Sequence, residues 1–150
     1  MNAAWAAKLD AEFIRRMHAW GIPLLRVTLG IVFIWFGALK IFGASPVANL
    51  LISAFPFFPY PLFLVFLGAW EAAIGAGLLA NRALRTTLAL LWLQMLGTLA
   101  TPFIAPKIFF AHNNPLLLSI EGEFVVKNLV LIAASIVLGG YSIAKRKKAL

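Results

Sequence analysis

Residues 22–42 read IPLLRVTLGIVFIWFGALKIF, an apolar run in which Arg26 and Lys40 are the only charges. A bilayer hydrocarbon core about 30 Å thick is crossed by ~20 apolar residues of α-helix, and this run has that length. Inside lipid every backbone N–H and C=O must be paired within its own segment, which selects helix. Three further runs have the same character, at about 61–80, 86–105 and 124–143. The predicted fold is all-α, an integral membrane four-helix bundle over residues 21–144.

Composition points the same way. Hydrophobic residues make up 63% of the 150-residue chain and charged residues 12%, against roughly 45–50% and about 25% in soluble domains. A chain of this length holds one domain. The net charge of +8 does not indicate nucleic acid. The basic residues stand at the ends of apolar runs, where they mark orientation, and form no stripe on a soluble face. Cysteine is absent, which excludes thiol redox chemistry and thiolate metal sites for this chain alone. The two histidines, His18 and His112, fall on opposite sides of the predicted membrane, so neither a metal site nor a haem is expected. No Ser/His/Asp set and no glycine-rich phosphate loop is present, and no catalytic constellation is visible.

Orientation follows from the flanking charges. Lys8, Arg15 and Arg16, then Arg82 and Arg85, then Lys145, Arg146, Lys147 and Lys148 lie on one side; the opposite loops carry Lys107 alone. The positive-inside bias predicts both termini in the cytoplasm, with residues 145–150 as a basic cytoplasmic tail. Trp5, Leu9, Phe13, Met17 and Trp20 share a stripe at helical spacing, so residues 1–20 are expected to form an amphipathic interfacial helix rather than a cleaved signal peptide. In the first outer loop, Ser45-Pro46 resembles an N-cap followed by proline at the first helical position, which predicts a short outer-loop helix over residues 46–54. The following FPFFPYP stretch, residues 55–61, cannot continue that helix. Its aromatics suit a headgroup boundary or a lid.

Ionisable residues inside a span cost about 2.5–3.5 kcal/mol each on insertion scales and normally face the bundle interior. Arg26, Gly30, Phe33, Gly37 and Lys40 form one seam along the first span, and Gly68, Glu71 and Gly75 form another on the second. Gln94, Thr98 and Thr101 share a face of the third, and Glu123 and Lys127 are an i, i+4 pair at the start of the fourth. With a rise of about 1.5 Å per residue, Glu71 and Gln94 reach mid-bilayer, Lys127 the outer third, and Lys40 the level of Glu121 and Glu123. These depths predict a polar pocket in the outer half. It is centred on Glu71 and Lys127, with Lys40, Gln94, Thr98, Glu121, Glu123 and Asn128 as the other candidate ligand-binding residues. Arg26, in the inner third, is expected to be a structural charge. The alternative role for the Glu71–Lys127 pair is to fix helix register without binding anything.

These residues also carry a resemblance. The segment from Arg26 to Lys40, RVTLGIVFIWFGALK, is similar to the first-span motif of DoxX-like membrane proteins, and Gly68–Gly75, GAWEAAIG, resembles their second-span motif. LQMLGT at 93–98 and EGEFVVKN at 121–128 are similar to the YkgB branch, which includes reactive-chlorine-resistance membrane proteins. The likeness covers roughly residues 20–143, and the last string is its most specific part. The resemblance implies a bacterial inner-membrane protein of redox and oxidative-stress defence, with Arg26, Lys40, Glu71, Gln94, Glu121, Lys127 and Asn128 as the matching positions. It suggests a quinone head group as the occupant of the outer pocket and, at most, the role of a quinone-linked oxidoreductase subunit. The competing expectation is an accessory or self-associating subunit, a homo-oligomer or part of a larger membrane complex, with no ligand of its own.

Overall fold

The computed structural model describes residues 3–147. Its helices are α1 (Ala3–Ile41), α2 (Ala48–Ala54), α3 (Leu62–Ala80), α4 (Leu84–Ile104), α5 (Pro106–Phe109), α6 (Ile120–Val126) and α7 (Asn128–Lys147), with a 3-10 turn at Ala111–Asn113. Four helical segments are long and apolar enough to cross a membrane: Trp5–Ile41, Leu62–Ala80, Leu84–Ile104 and Ile120–Ala144. They run up, down, up and down. Each packs on its neighbours in the order α1, α3, α4, α7 and back to α1. This arrangement brings the α3–α4 turn, with Arg82 and Arg85, to the same end as the start of α1 and the end of α7. The helices α2, α5 and α6 gather at the opposite, loop-covered end. Lys148 and residues 149–150 of the predicted basic tail, and the side chains of 145–147, lie outside the described residues.

The tightest seam joins α1 to α3. A Cβ on Gly37 would stand 2.5 Å from the Gly68 carbonyl oxygen, and one on Gly75 would stand 2.6 Å from that of Gly30. Two glycine rungs thus let antiparallel backbones touch, the close approach that small residues permit where lipid supplies no hydrophobic drive. Arg26 finishes the seam. Its Nη1 donates to the carbonyls of Leu78 (2.6 Å) and Leu79 (3.1 Å) in the last turn of α3, where orphan acceptors and the negative end of the helix dipole both favour a cation.

Below the middle of the bundle the interior is apolar. Leu29 and Phe33 of α1, Ile74 and Leu78 of α3, Leu84, Leu88, Leu91 and Met95 of α4, and Leu138 of α7 form one buried cluster. Trp92 ties α4 to α7 by donating to Ser135 Oγ at 2.7 Å, and the Ser135 hydroxyl in turn donates to the Ile132 carbonyl. Pro102 lies inside α4 and cannot donate to the Thr98 carbonyl. Thr101 Oγ1 donates to that oxygen instead, at 2.7 Å, so this carbonyl is not left bare in the apolar layer.

Several expectations change. The amphipathic N-terminal stretch is helical but continuous with the first span: α1 runs 39 residues with Pro23 inside it, about 58 Å at 1.5 Å per residue. Pro23 is tolerated because its φ fits a helix, at the loss of one hydrogen bond. The outer-loop helix begins at Ala48 with Val47 as its N-cap and no side-chain cap. Ser45 and Pro46 instead form the preceding turn, in which the Ser45 carbonyl accepts from the Ala48 N–H. The fourth span starts earlier than residue 124, because Ser119 caps α6 by accepting from Gly122 N–H. A single turn at Lys127 then separates α6 from α7.

Candidate functional site

Glu71 sits on the buried face of α3 and divides its carboxylate between two neighbouring helices. Oε2 accepts from Lys40 Nζ of α1 at 2.6 Å, and Oε1 accepts from Gln94 Nε2 of α4 at 2.6 Å. Lys40 and Glu71 are only 7% and 8% exposed. The glycine rung explains the pairing. With α1 and α3 in backbone contact at Gly37 and Gly68, the Lys40 stem lies against Gly68, and its ammonium reaches one turn along α3 to Glu71.

The sequence placed Lys127 as the partner of Glu71, and the structure corrects this. Lys127 is exposed at the α6–α7 turn, and its ammonium lies 3.5 Å from the centre of the Phe124 ring, a cation–π contact. The i, i+4 ion pair expected between Glu123 and Lys127 does not form; only the backbone bond from Lys127 N–H to the Glu123 carbonyl spans them. The reason is local. At the end of a short helix, the Lys127 side chain has an aromatic face one turn back to cover, and Glu123 is exposed.

The Lys40–Glu71–Gln94 cluster forms the polar wall of a cavity of about 290 Å³, near the lower end of the range for ligand pockets, about 300–1,000 Å³. Thr98 and Thr101 of α4 add two hydroxyls to the lining. The rest is apolar: Leu50, Leu51 and Ala54 of α2, Phe55 of the following loop, Phe63, Phe66, Leu67 and Trp70 of α3, Leu93 of α4, and Phe109, Phe124 and Val125. The cover is built from the loops. Phe55, Phe58 and Phe63 stack edge-on and face-on, with Phe58 and Phe63 at 4.5 Å and 8° between planes. Phe109 is held over the cavity by a ring of bonds: Ser119 N–H donates to its carbonyl at 3.0 Å, and Ser119 Oγ donates to the Ile108 carbonyl at 2.7 Å. Gly122 allows α6 to press on the Phe109 carbonyl, a spot that a side chain would occupy.

A smaller cavity of about 80 Å³ lies across the same cluster, lined by Lys127 and Asn128 together with Lys40, Glu71, Gln94 and Thr98. Six of the eight candidate binding residues therefore border one or both spaces. Glu121 and Glu123 line neither. They stand in the first turn of α6, where acidic side chains offset the helix dipole. The aromatics of residues 55–61 were expected as a lid over the pocket; which residues of α2 and α5 line it was not foreseen, because nothing in the sequence fixes which way these short helices fold back. Among the described residues no group of three or more metal-ligating side chains forms. Among the described residues Gln94 Oε1 is buried without a hydrogen-bond partner, an arrangement that costs about 1–3 kcal/mol.

Compared with known proteins, the chain matches no family model, no curated protein and no solved structure.

Proposed function

We propose that this chain is a membrane-embedded binding protein for a small amphiphile of quinone type, whose head group rests against Lys40, Glu71 and Gln94. The observation that carries the reading is a buried ion pair with an amide partner forming one wall of an otherwise apolar cavity. A quinone ring matches those walls: its edge oxygens accept from an ammonium or an amide N–H, while its faces suit Phe and Trp. The setting is the one that the resemblance to DoxX-like proteins implies, a bacterial inner membrane and redox or reactive-chlorine stress. The basic end of the bundle then faces the cytoplasm by the positive-inside rule, and the cavity lies in the outer half.

Purification into native-membrane nanodiscs, followed by solvent extraction and mass spectrometry, tests the assignment. A long-chain quinone recovered near one per chain is expected, and its loss is expected in the double variant Lys40→Met/Glu71→Leu, which removes both charges together. An extract holding only bulk phospholipid would contradict it. The second reading is a structural subunit, favoured by the pairing within the cluster: both oxygens of the Glu71 carboxylate already accept, one from Lys40 and one from Gln94. In that case the same double variant keeps every function of the chain, because the charges serve only register.

A further inference from the structure

We infer that the cavity is filled sideways, through a cleft between α3 and α4 that opens into the hydrocarbon layer, so that its occupant is a long-chain amphiphile whose tail remains in lipid. This rests on the binding reading above. Toward the loops the cavity is covered by buried Ala54 and Phe109 and by half-buried Val47, Leu50, Leu51 and Phe55. It is closed toward the basic end as well. Trp70 Nε1 donates across the cleft to the Leu90 carbonyl at 3.2 Å, and farther down Gly77 lies against Thr87.

Between these seals the lining reaches the outside. Phe66 on α3 and Leu93 on α4 border the cavity yet are 57% and 59% exposed. Gly97, one turn beyond Leu93, also borders it, is exposed, and has nothing within 4 Å of where a Cβ would stand. A lining residue with no neighbour marks the gap itself.

Depth identifies what can enter. Leu93 lies nine residues from Leu84 and eleven from Ile104, the two ends of α4, or about 14 and 16 Å at 1.5 Å per residue. Gly97 is about 10 Å from the loop-covered end by the same rise. The mouth therefore faces acyl chains on a span crossing the bilayer. A water-soluble ligand would have to dissolve in lipid to find it, whereas a membrane-dissolved amphiphile is already there. Its head passes Phe66 and Leu93 to the polar wall, and its chain trails past Gly97.

The cysteine-free chain offers a reversible block. In nanodiscs, the probe is a benzoquinone bearing a decyl chain, with binding read from quenching of tryptophan fluorescence, since Trp70 lines the cavity. Gly97→Cys, labelled after folding with a benzyl methanethiosulfonate and checked by intact mass, is expected to bind the probe at least tenfold more weakly and to recover when reductant removes the label. Gly140→Cys, at an exposed glycine of α7 with equally open space, is expected to bind normally with or without label. Gly97→Leu reproduces the block without chemistry, its fold checked by thermal unfolding. Saturable binding that survives both the label and Gly97→Leu within twofold overturns the lateral mouth and leaves the binding site standing. No saturable binding by the unmodified protein overturns the binding reading itself, and the mouth with it.

Discussion

The helix α3 has two long neighbours, and it meets them in opposite ways. Against α1 it is fastened along its length: two glycine rungs put backbone on backbone, Arg26 caps its last turn, and Lys40 holds Glu71. Against α4 it is pinned only near the turn, at Gly77–Thr87 and Trp70–Leu90, and the other half of that interface is hollow. The small residues explain the difference. On the α1 side they face small residues, so the space vanishes. On the α4 side Gly97 has open space where a Cβ would stand, and Phe66 and Trp70 border a void. A bundle that invests its packing in one seam can leave the next one open, which a binding cavity requires. Glu71 belongs to both, with one carboxylate oxygen turned to each.

The largest effect should come from cutting the charged link of the fastened seam. Lys40→Met leaves the Glu71 carboxylate buried with only an amide donor, and loss of about 3–5 kcal/mol is expected, read from denaturant unfolding in detergent micelles. An effect as small as that of a surface lysine would mean that water already reaches the pair. The next probe is steric and compares the two interfaces directly. Gly37→Ala drives a methyl into the Gly68 carbonyl and should cost about 1–3 kcal/mol. Gly97→Ala meets open space, and there the usual advantage of alanine in a helix should appear as a gain of up to about 1 kcal/mol. Equal costs at both positions would erase the contrast. The smallest effect is expected in the turn joining α3 to α4. Ala83 has φ of 47°, a left-handed conformation that an L side chain resists, so Ala83→Gly should raise the unfolding midpoint by a shift worth about 0.5 kcal/mol after the entropy of glycine is subtracted.

The four spans were legible because lipid demands long, uninterrupted apolar helices, and the seams were legible because charged and small residues recur at helical spacing. Arg26, Gly30, Phe33, Gly37 and Lys40 do share the face that packs on α3. The identity of the Glu71 partner was not legible. Depth alone put Lys127 within reach of Glu71 and Lys40 at the level of Glu121 and Glu123, whereas the pairing depends on how closely two backbones approach, which Gly37 and Gly68 decide jointly. A lid was legible in the aromatics of residues 55–61, but the fastening of the cover was not. Phe109 is an ordinary apolar residue until Ser119 and Gly122 fold its loop back over the bundle. Spacing reports faces within one helix; it does not report which face a short loop helix will close.

The most direct test of the account is a structure determined at near-atomic resolution in nanodiscs drawn from the host membrane. It should show elongated density between Phe66 and Gly97, with a compact head within hydrogen-bonding distance of Lys40 or Gln94. If α3 and α4 instead close on each other and Phe66, Trp70 and Leu93 fill the space, the cavity is no binding site, and the buried charges serve only to align the helices.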